Sequence, residues 1–385
     1  MSEIVNLKKE ERVACGKICF NVNRTSLFYT LSKISGIVER RNVVDILSCM
    51  SIKAQHSSIE LMVTDLNILM FASLPANVLV HGEVKISAHI IYDIVKKLPT
   101  DSNINFKMDN HGKLSISCKN TKFLIPEIIL GDFPLFEKID YRYDFILMSW
   151  DLVDLLTKAK FAMSLDDTRY NLNGICLHTD DLFLYCVATD GHRLSCIKRP
   201  KPKGIDDEFS VIIPRKTVVE LLKVLCDCNE VGIKLSQRKI KFTCGEYVLI
   251  SKLIDGTFPD YRSVIPVTRN KYYMTVESVK LADAIDRVSV VIFNKIKSVK
   301  FLLQEKLLTL NSNSHDSNNY ATESIEVDYN GISMKIGFNS RYLLDILSCI
   351  KNKCRFNLLE DSNGAVIIID EDDPNALYIV MPMRV

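Results

Sequence analysis

Asp190, His192 and Arg193 lie within four consecutive residues, in the stretch VATDGHRLS from Val187 to Ser195. A carboxylate beside an imidazole can hold the ring in one tautomer and make it a general base, and a guanidinium can hold an oxyanion or a carboxylate. That is hydrolase chemistry, but the other parts are missing. No G-x-S-x-G elbow carries a serine nucleophile, and with 14 glycines in 385 residues there is no glycine-rich loop to cradle phosphate. Residues two apart on a strand share a face, yet this pair comes where the apolar run LFLYCVATD ends in a turn. A hydrogen-bonded core histidine is the plainer role for His192. The twelve cysteines include two close pairs, Cys15 with Cys19 and Cys226 with Cys228, and neither is matched by a second pair at zinc-site spacing. No metal, cofactor or catalytic residue is therefore expected. Cys176, Cys186 and Cys244 sit in apolar strand-like runs, where cysteine acts as a small hydrophobe. With a polar N-terminus that lacks the apolar core of a signal peptide, and no run of membrane-spanning length, a reducing cytoplasmic location is expected.

The elements that position these residues are visible as a repeat. Asp65 closes VTD and Asp190 closes ATD, 125 positions later (190 − 65), and Phe133 of GDFP and Phe258 of GTFPDY are also 125 apart (258 − 133). Three helix stripes agree: Ile91, Ile94, Val95 and Leu98; Val218, Leu221, Leu222 and Leu225; Leu343, Ile346, Leu347 and Ile350. Each follows a strand-like run (EVKIS, FSVII, SMKIGF) and carries an acid at a similar place, Asp93, Glu220 or Asp345. Each repeat reads helix, strands, helix, strands. Leu152, Leu155, Leu156, Ala159 and Met163 predict the first helix of the second repeat, with Ser149 as its N-cap, and Pro214 falls in the first turn of the next. GKLSISC and KIKFTC alternate as strands. A period this long indicates a triplicated α+β domain rather than a solenoid. The expected boundaries are 18–142, 143–268 and 269–385, with residues 1–17 as an extension expected to be disordered.

Composition narrows the function. Apolar residues make up 47% and charged residues 25%, as in an ordinary globular protein. A net charge of +2, from 49 basic and 47 acidic residues, excludes binding nucleic acid by overall charge, so any such contact must be local. The repeats differ where the opening stretch lies: GHRLS of the second is replaced by LNILM in the first, and FPDYR by FPLFE. The third ends in the apolar tail YIVMPMRV. Such a tail beside GHRL would make a peptide-docking groove.

RYNLNG (169–174), VATDGHRLS, IIPRK (212–216), DGTFPDYRSVIP (255–266), IGFNSRYLLDIL (336–347) and YIVMPMRV (378–385) together resemble the bacterial DNA sliding clamps, the beta subunits of the replicative DNA polymerase III, from about Ile18 onward. The resemblance implies three similar domains per chain, with sheets outside and helices lining a central hole. Two chains would close head to tail into a homodimeric ring around double-stranded DNA. It implies a nucleoid-associated processivity factor, not an enzyme, whose partners are the polymerase catalytic subunit, the clamp loader and repair polymerases. These dock through short linear motifs, and no membrane is involved. By matched position the docking pocket comprises Leu172, Thr189, Gly191, His192, Arg193, Leu194, Pro259, Val264, Ile296, Asn339, Tyr342, Met381, Pro382, Met383 and Arg384. Leu172, Val264, Ile296 and Met383 would take Leu or Phe anchors, and Arg193 and Arg384 would donate to the peptide. Arg41, Tyr170, Asn171, Arg215 and Lys216 match DNA-approaching positions, with Asn171 where an aromatic can stand. Ser263 stands where a basic residue can occur and Ile296 where an aromatic can, which bears on the pocket's width and charge. Phe123 and Ile125 would face Val290 and Val291 of the other chain. The helix faces opposite the stripes add Lys96, Lys97, Lys158, Lys160, Lys223 and Arg341 as weak phosphate contacts that permit sliding. Two rivals remain, the hydrolase above and a structural scaffold that does not bind DNA.

Overall fold

The computed structural model describes residues 18–39, 45–109, 111–129, 131, 133–266, 272–292, 297–314, 319–360 and 364–384. The expectations for residues 1–17, Arg41 and Ile296 lie outside them. Six α-helices occur among the described residues: α1 Arg24–Ile34, α2 Ala88–Lys97, α3 Ser149–Lys160, α4 Arg215–Leu225, α5 Ser278–Ser289 and α6 Ser340–Leu347. The chain divides into two compact units, Met1–Ile146 with Val219–Lys252, and Leu147–Val218 with Leu253–Val385.

The first unit holds two antiparallel sheets. In the larger, Tyr247–Lys252 pairs with Ile68–Pro75, so strands of the first and second repeats run on in one eight-stranded sheet. This continuity across repeats is why three sequence repeats do not separate into three compact units. The smaller sheet has five strands and ends at Thr121–Pro126, which pairs only with Lys113–Cys118. Ile91, Val95 and Leu98 of the first stripe are buried, as the helical spacing requires. Arg24 donates from Nε to the Val95 carbonyl (2.9 Å) and from Nη2 to that of Lys96 (2.8 Å), satisfying carbonyls that the end of α2 leaves without helical partners.

In the second unit a nine-stranded sheet joins the second and third repeats. Its central pairing is Arg193–Pro200 against Ala376–Val380, with Arg193 opposite Val380 and Leu194 opposite Ile379. A four-stranded sheet starts at the edge strand Asn319–Glu326. The stripe of α3 is buried through Leu152, Leu155, Leu156 and Ala159.

Several local expectations are corrected. Ser149 is the first residue inside α3 rather than its cap; Met148 is the cap residue, with no side-chain cap hydrogen bond. Helix α3 ends at Lys160, so Met163 is buried just beyond it. Pro214 closes the strand Ser210–Pro214, and α4 starts one residue later. Cys244 is not a lone hydrophobe: it is disulfide-bonded to Cys228, with Cα atoms 5.7 Å apart, which departs from the all-thiol state expected for a reducing compartment. Burial of a strand cysteine can be read from its alternating pattern, but the residue that faces it cannot. No helix among the described residues is long and apolar enough to cross a membrane.

Candidate partner-docking and DNA-facing surfaces

The turn after Thr189 is built by its own side chains. Thr189 Oγ1 donates to the Arg193 carbonyl (2.7 Å) and accepts from the Gly191 N–H (3.1 Å). Asp190 Oδ1 accepts from the backbone N–H groups of His192 (2.9 Å) and Arg193 (3.1 Å). Gly191 has φ +88°, and a Cβ there would stand 3.1 Å from Arg169 Nη1, which donates to the Asp190 carbonyl (2.9 Å). Only glycine adopts that backbone without strain.

Asp190 therefore orients a backbone turn and not the His192 ring. The ring is exposed and stacks loosely on Tyr342, with centroids 6.3 Å apart. This corrects the expectation of a core histidine and removes the pairing a hydrolase would use. Arg193 makes structural bonds of its own. Its Nε donates to Asp190 Oδ2 (3.0 Å), Nη1 to Asp345 Oδ2 (2.5 Å) and Nη2 to the Phe161 carbonyl (2.6 Å). The guanidinium also lies 4.4 Å from the centre of the Tyr342 ring. With its side chain 10% exposed and three of its five N–H donors committed, Arg193 clips the strand end to α6 and to the end of α3.

The tail meets this turn through the backbone. The Met381 N–H donates to the His192 carbonyl (2.9 Å), and the Met383 N–H to that of Gly337 (2.8 Å). Met381 and Arg384 are exposed, and Pro382 and Met383 half-buried. Pro259 and Val264 are exposed on either side of the buried Tyr261. Leu172 and Leu194 are buried; Leu194 belongs to the core cluster with Tyr261 and Ile379, so these two leucines are floor and not open surface. Asn339 caps α6, accepting from the Arg341 N–H (3.1 Å).

A second concave surface of about 460 Å³ gathers Tyr170, Arg215 and Lys216 with Asn173 and Leu165. Asn171 is turned away from it, its Nδ2 donating to the Thr257 carbonyl (3.0 Å). Of the helix cations, Lys96, Lys97, Lys160 and Arg341 are exposed, but Lys158 and Lys223 are not free. Lys223 pairs with Glu220 (2.7 Å). Lys158 bridges Asp154 (3.0 Å) and Asp373 (2.7 Å), and Arg199 pairs with the same two carboxylates. Burial works to lower the Lys158 pKa, but the two carboxylates outweigh it and raise it. Asp373 is pulled below the usual carboxylate range, burial opposing and Arg199 and Lys158 prevailing. The helix pattern marks Lys158 as a cation but does not reveal Asp373, 215 residues away.

At the sheet edge, Leu124 is 53% exposed while Ile125 is buried and Phe123 half-buried. Phe123 and Ile125 share the inward face of the strand, where Ile125 is fully covered and Phe123, nearer the strand's start, is partly open. Val290, at the end of α5, is 67% exposed, and Val291 is half-buried.

Sequence profiles of the DNA polymerase III beta subunit match most of the chain: the N-terminal domain over 18–137, the central domain over 147–260 and the C-terminal domain over 262–384. The chain belongs to the bacterial beta sliding clamps. It is 34% identical over 371 residues to the beta sliding clamp of Caulobacter vibrioides (strain NA1000 / CB15N), covering 94% of this chain and 99% of that one. It is 31% identical to the beta sliding clamp of Escherichia coli (strain K12), covering 95% and 99%. Among solved structures, the Caulobacter crescentus beta sliding clamp superposes with a TM-score of 0.92 at 33% identity, covering 97% of this chain and all (100%) of that one. A Bartonella birtlesii sliding clamp bound to griselimycin gives 0.91 at 38% identity, covering 96% and 100%. The sliding-clamp function, that of a non-enzymatic processivity factor, follows from family membership, and the spent Asp190 carboxylate agrees with it.

Proposed function

We propose that two copies of this chain close head to tail into a ring around duplex DNA and present one peptide-docking pocket each. The pocket reading rests above all on the tail: two backbone hydrogen bonds seat Met381 and Met383 between the GHRL turn and the strand before α6. A docked segment would lay Leu or Phe anchors against Met381, Met383, Pro259 and Val264, over a floor of Leu172 and Leu194. Thr189, Gly191, His192, Asn339, Tyr342, Pro382 and Arg384 complete its rim, with Arg193 and Asn339 holding it rather than binding. The polymerase catalytic subunit, the clamp loader and repair polymerases are the partners of this reading, in a cytoplasmic, nucleoid-associated setting. The proposed domain limits are 18–142, 143–268 and 269–385.

Tyr170, Arg215 and Lys216 form the DNA-facing group, joined by the free cations Lys96, Lys97, Lys160 and Arg341. Few free cations suit a tether that must slide, because each neutralised phosphate adds salt-dependent affinity and friction. The unpaired edges at Thr121–Pro126 and Asn319–Glu326 are where strand pairing between chains would close the ring, with Phe123, Leu124, Val290 and Val291 as apolar contacts. The test uses nicked circular duplex DNA, the cognate loader and ATP. Protein retained on the circle should be released when a restriction enzyme linearises it. Equal retention on circle and line, or none with an active loader, would refute the ring.

A further inference from the structure

The exposed residues Pro259 and Val264 belong to a short segment whose only regular element is the 3-10 turn Tyr261–Val264. So brief a turn cannot hold itself still. Its one buried residue is Tyr261, whose ring joins the core beside Leu194, Cys196 and Ile379. The Tyr261 hydroxyl lies 2.9 Å from Nε2 of His178, a buried histidine on the strand Gly174–Thr179. The His178 ring stacks on Tyr185, with centroids 4.7 Å apart and planes 6° apart, and Tyr185 donates to Asp180 Oδ2 (2.7 Å). Arg262, of the same turn, places its guanidinium 5.8 Å from the centre of the Tyr185 ring.

A neutral imidazole has one acceptor nitrogen, and with its proton on Nδ1 the His178 ring takes the Tyr261 O–H at Nε2. The charged groups facing His178 are Arg262 from the turn and Asp180 from the end of its own strand. Tyr185 and Tyr261 are its other titratable neighbours, and the adjoining strand sets Ser210 opposite it. Burial, then Arg262, lower the His178 pKa from the ordinary histidine value, which keeps the ring neutral near pH 7. Protonation at low pH would make Nε2 a donor, turn the Tyr261 O–H away from it and bury an imidazolium facing Arg262, which loosens the turn.

We propose that His178 is a positioning residue for partner docking: by accepting the Tyr261 hydrogen bond it fixes the Tyr261–Val264 turn, and so the placing of Pro259 and Val264. The coupling to docking rests on the pocket reading above; the anchoring of the turn does not.

The experiment compares wild type with His178→Phe, which keeps a ring but accepts no bond, and His178→Gln, which can accept but does not titrate. Amide hydrogen exchange over residues 257–266 is measured at pH 7.5 and 5.5, corrected for intrinsic rates. Affinity is measured with a synthetic peptide carrying Leu and Phe anchors and no group that titrates between these pH values. Wild type should bind about fivefold more weakly at pH 5.5, the scale of one net hydrogen bond, with faster exchange in the segment. His178→Phe should show both changes already at pH 7.5, and His178→Gln should bind like wild type at pH 7.5 and lose the pH dependence. Wild-type exchange and affinity in His178→Phe, or an unchanged pH dependence in His178→Gln, would overturn the proposal. Met383→Asp separates the two layers. If it leaves peptide binding intact, the pocket reading and the coupling fall together, and the exchange data alone decide whether His178 anchors the turn.

Discussion

Arg193→Ala separates a clip from a peptide contact. The substitution deletes the bonds to Asp190, Asp345 and the Phe161 carbonyl, together with the stacking on Tyr342. Breaking a buried, hydrogen-bonded ion pair costs about 3–5 kcal/mol. Asp345 is 37% exposed and recovers water when its partner is lost, whereas Asp190 at 15% recovers little, which favours the lower end, about 3 kcal/mol. At roughly 2–4 °C per kcal/mol for a unit of this size, the melting transition of the second unit should fall by about 6–12 °C. Differential scanning calorimetry resolves that transition from the first unit's where the two do not melt together. Asp345→Ala alone and the double variant complete a cycle whose coupling should be about 1–2 kcal/mol. Arg193→Lys should recover little, because an ammonium cannot serve three acceptors set out around a planar fork. A melting temperature within about 2 °C of wild type in Arg193→Ala, with peptide affinity sharply lowered, would refute the clip and make Arg193 a direct peptide contact.

Other perturbations test the same physics elsewhere. Gly191→Ala should cost about 1–2 kcal/mol, because φ is +88° and the new methyl group meets Arg169; a chemical-denaturation midpoint unchanged from wild type would count against the turn. Asp373 has its pKa depressed by Arg199 and Lys158, so its contribution to stability is complete above the ordinary carboxylate value and is lost as pH falls through the lower folded value. Thermal melts from pH 7 to pH 2.5 should therefore show an acid-side loss of stability that Asp373→Asn reduces. Reducing the Cys228–Cys244 disulfide, which closes a separation of 16 residues, should cost about 3 kcal/mol, read from melts of the first unit with and without dithiothreitol.

The parts of the structure legible in the sequence were those set by local periodicity. The buried stripes of α2, α4 and α6 follow from spacing alone, because a helix returns the same face every three or four residues. The turn at Asp190 was visible as a cluster of polar residues, but its meaning was not. Whether a carboxylate orients an imidazole or a backbone N–H depends on a local rotation that residue types do not encode. Side-chain pairs distant in the chain were hidden. Arg193 finds Asp345 152 residues on, and Lys158 finds Asp373 215 on, so both cations read as free when they are spent. Cys244 was misread for the same reason: its partner comes from the segment after α4, and nothing in its own strand points there.

The near-neutral charge takes on a different sense once these pairs are known. On the sequence alone the helix cations all read as open to DNA. Two of them are instead held by acids at close range: Glu220 holds Lys223, and Asp154 and Asp373 hold Lys158. The exposed helix cations that remain are Lys96, Lys97, Lys160 and Arg341. Each phosphate neutralised adds affinity that a moving tether must break again at every step. In the proposed ring, pairing off the surplus cations would lower that barrier while leaving enough positive charge to keep a duplex centred. If the paired cations were instead essential phosphate contacts, removing their acidic partners would be harmless or would strengthen DNA retention without loss of stability. Glu220→Gln and Asp373→Asn, measured by melting and by salt-dependent retention on circular DNA, decide between the two: a loss of stability with a steeper salt dependence is the outcome expected if the acids serve to withdraw those cations from DNA.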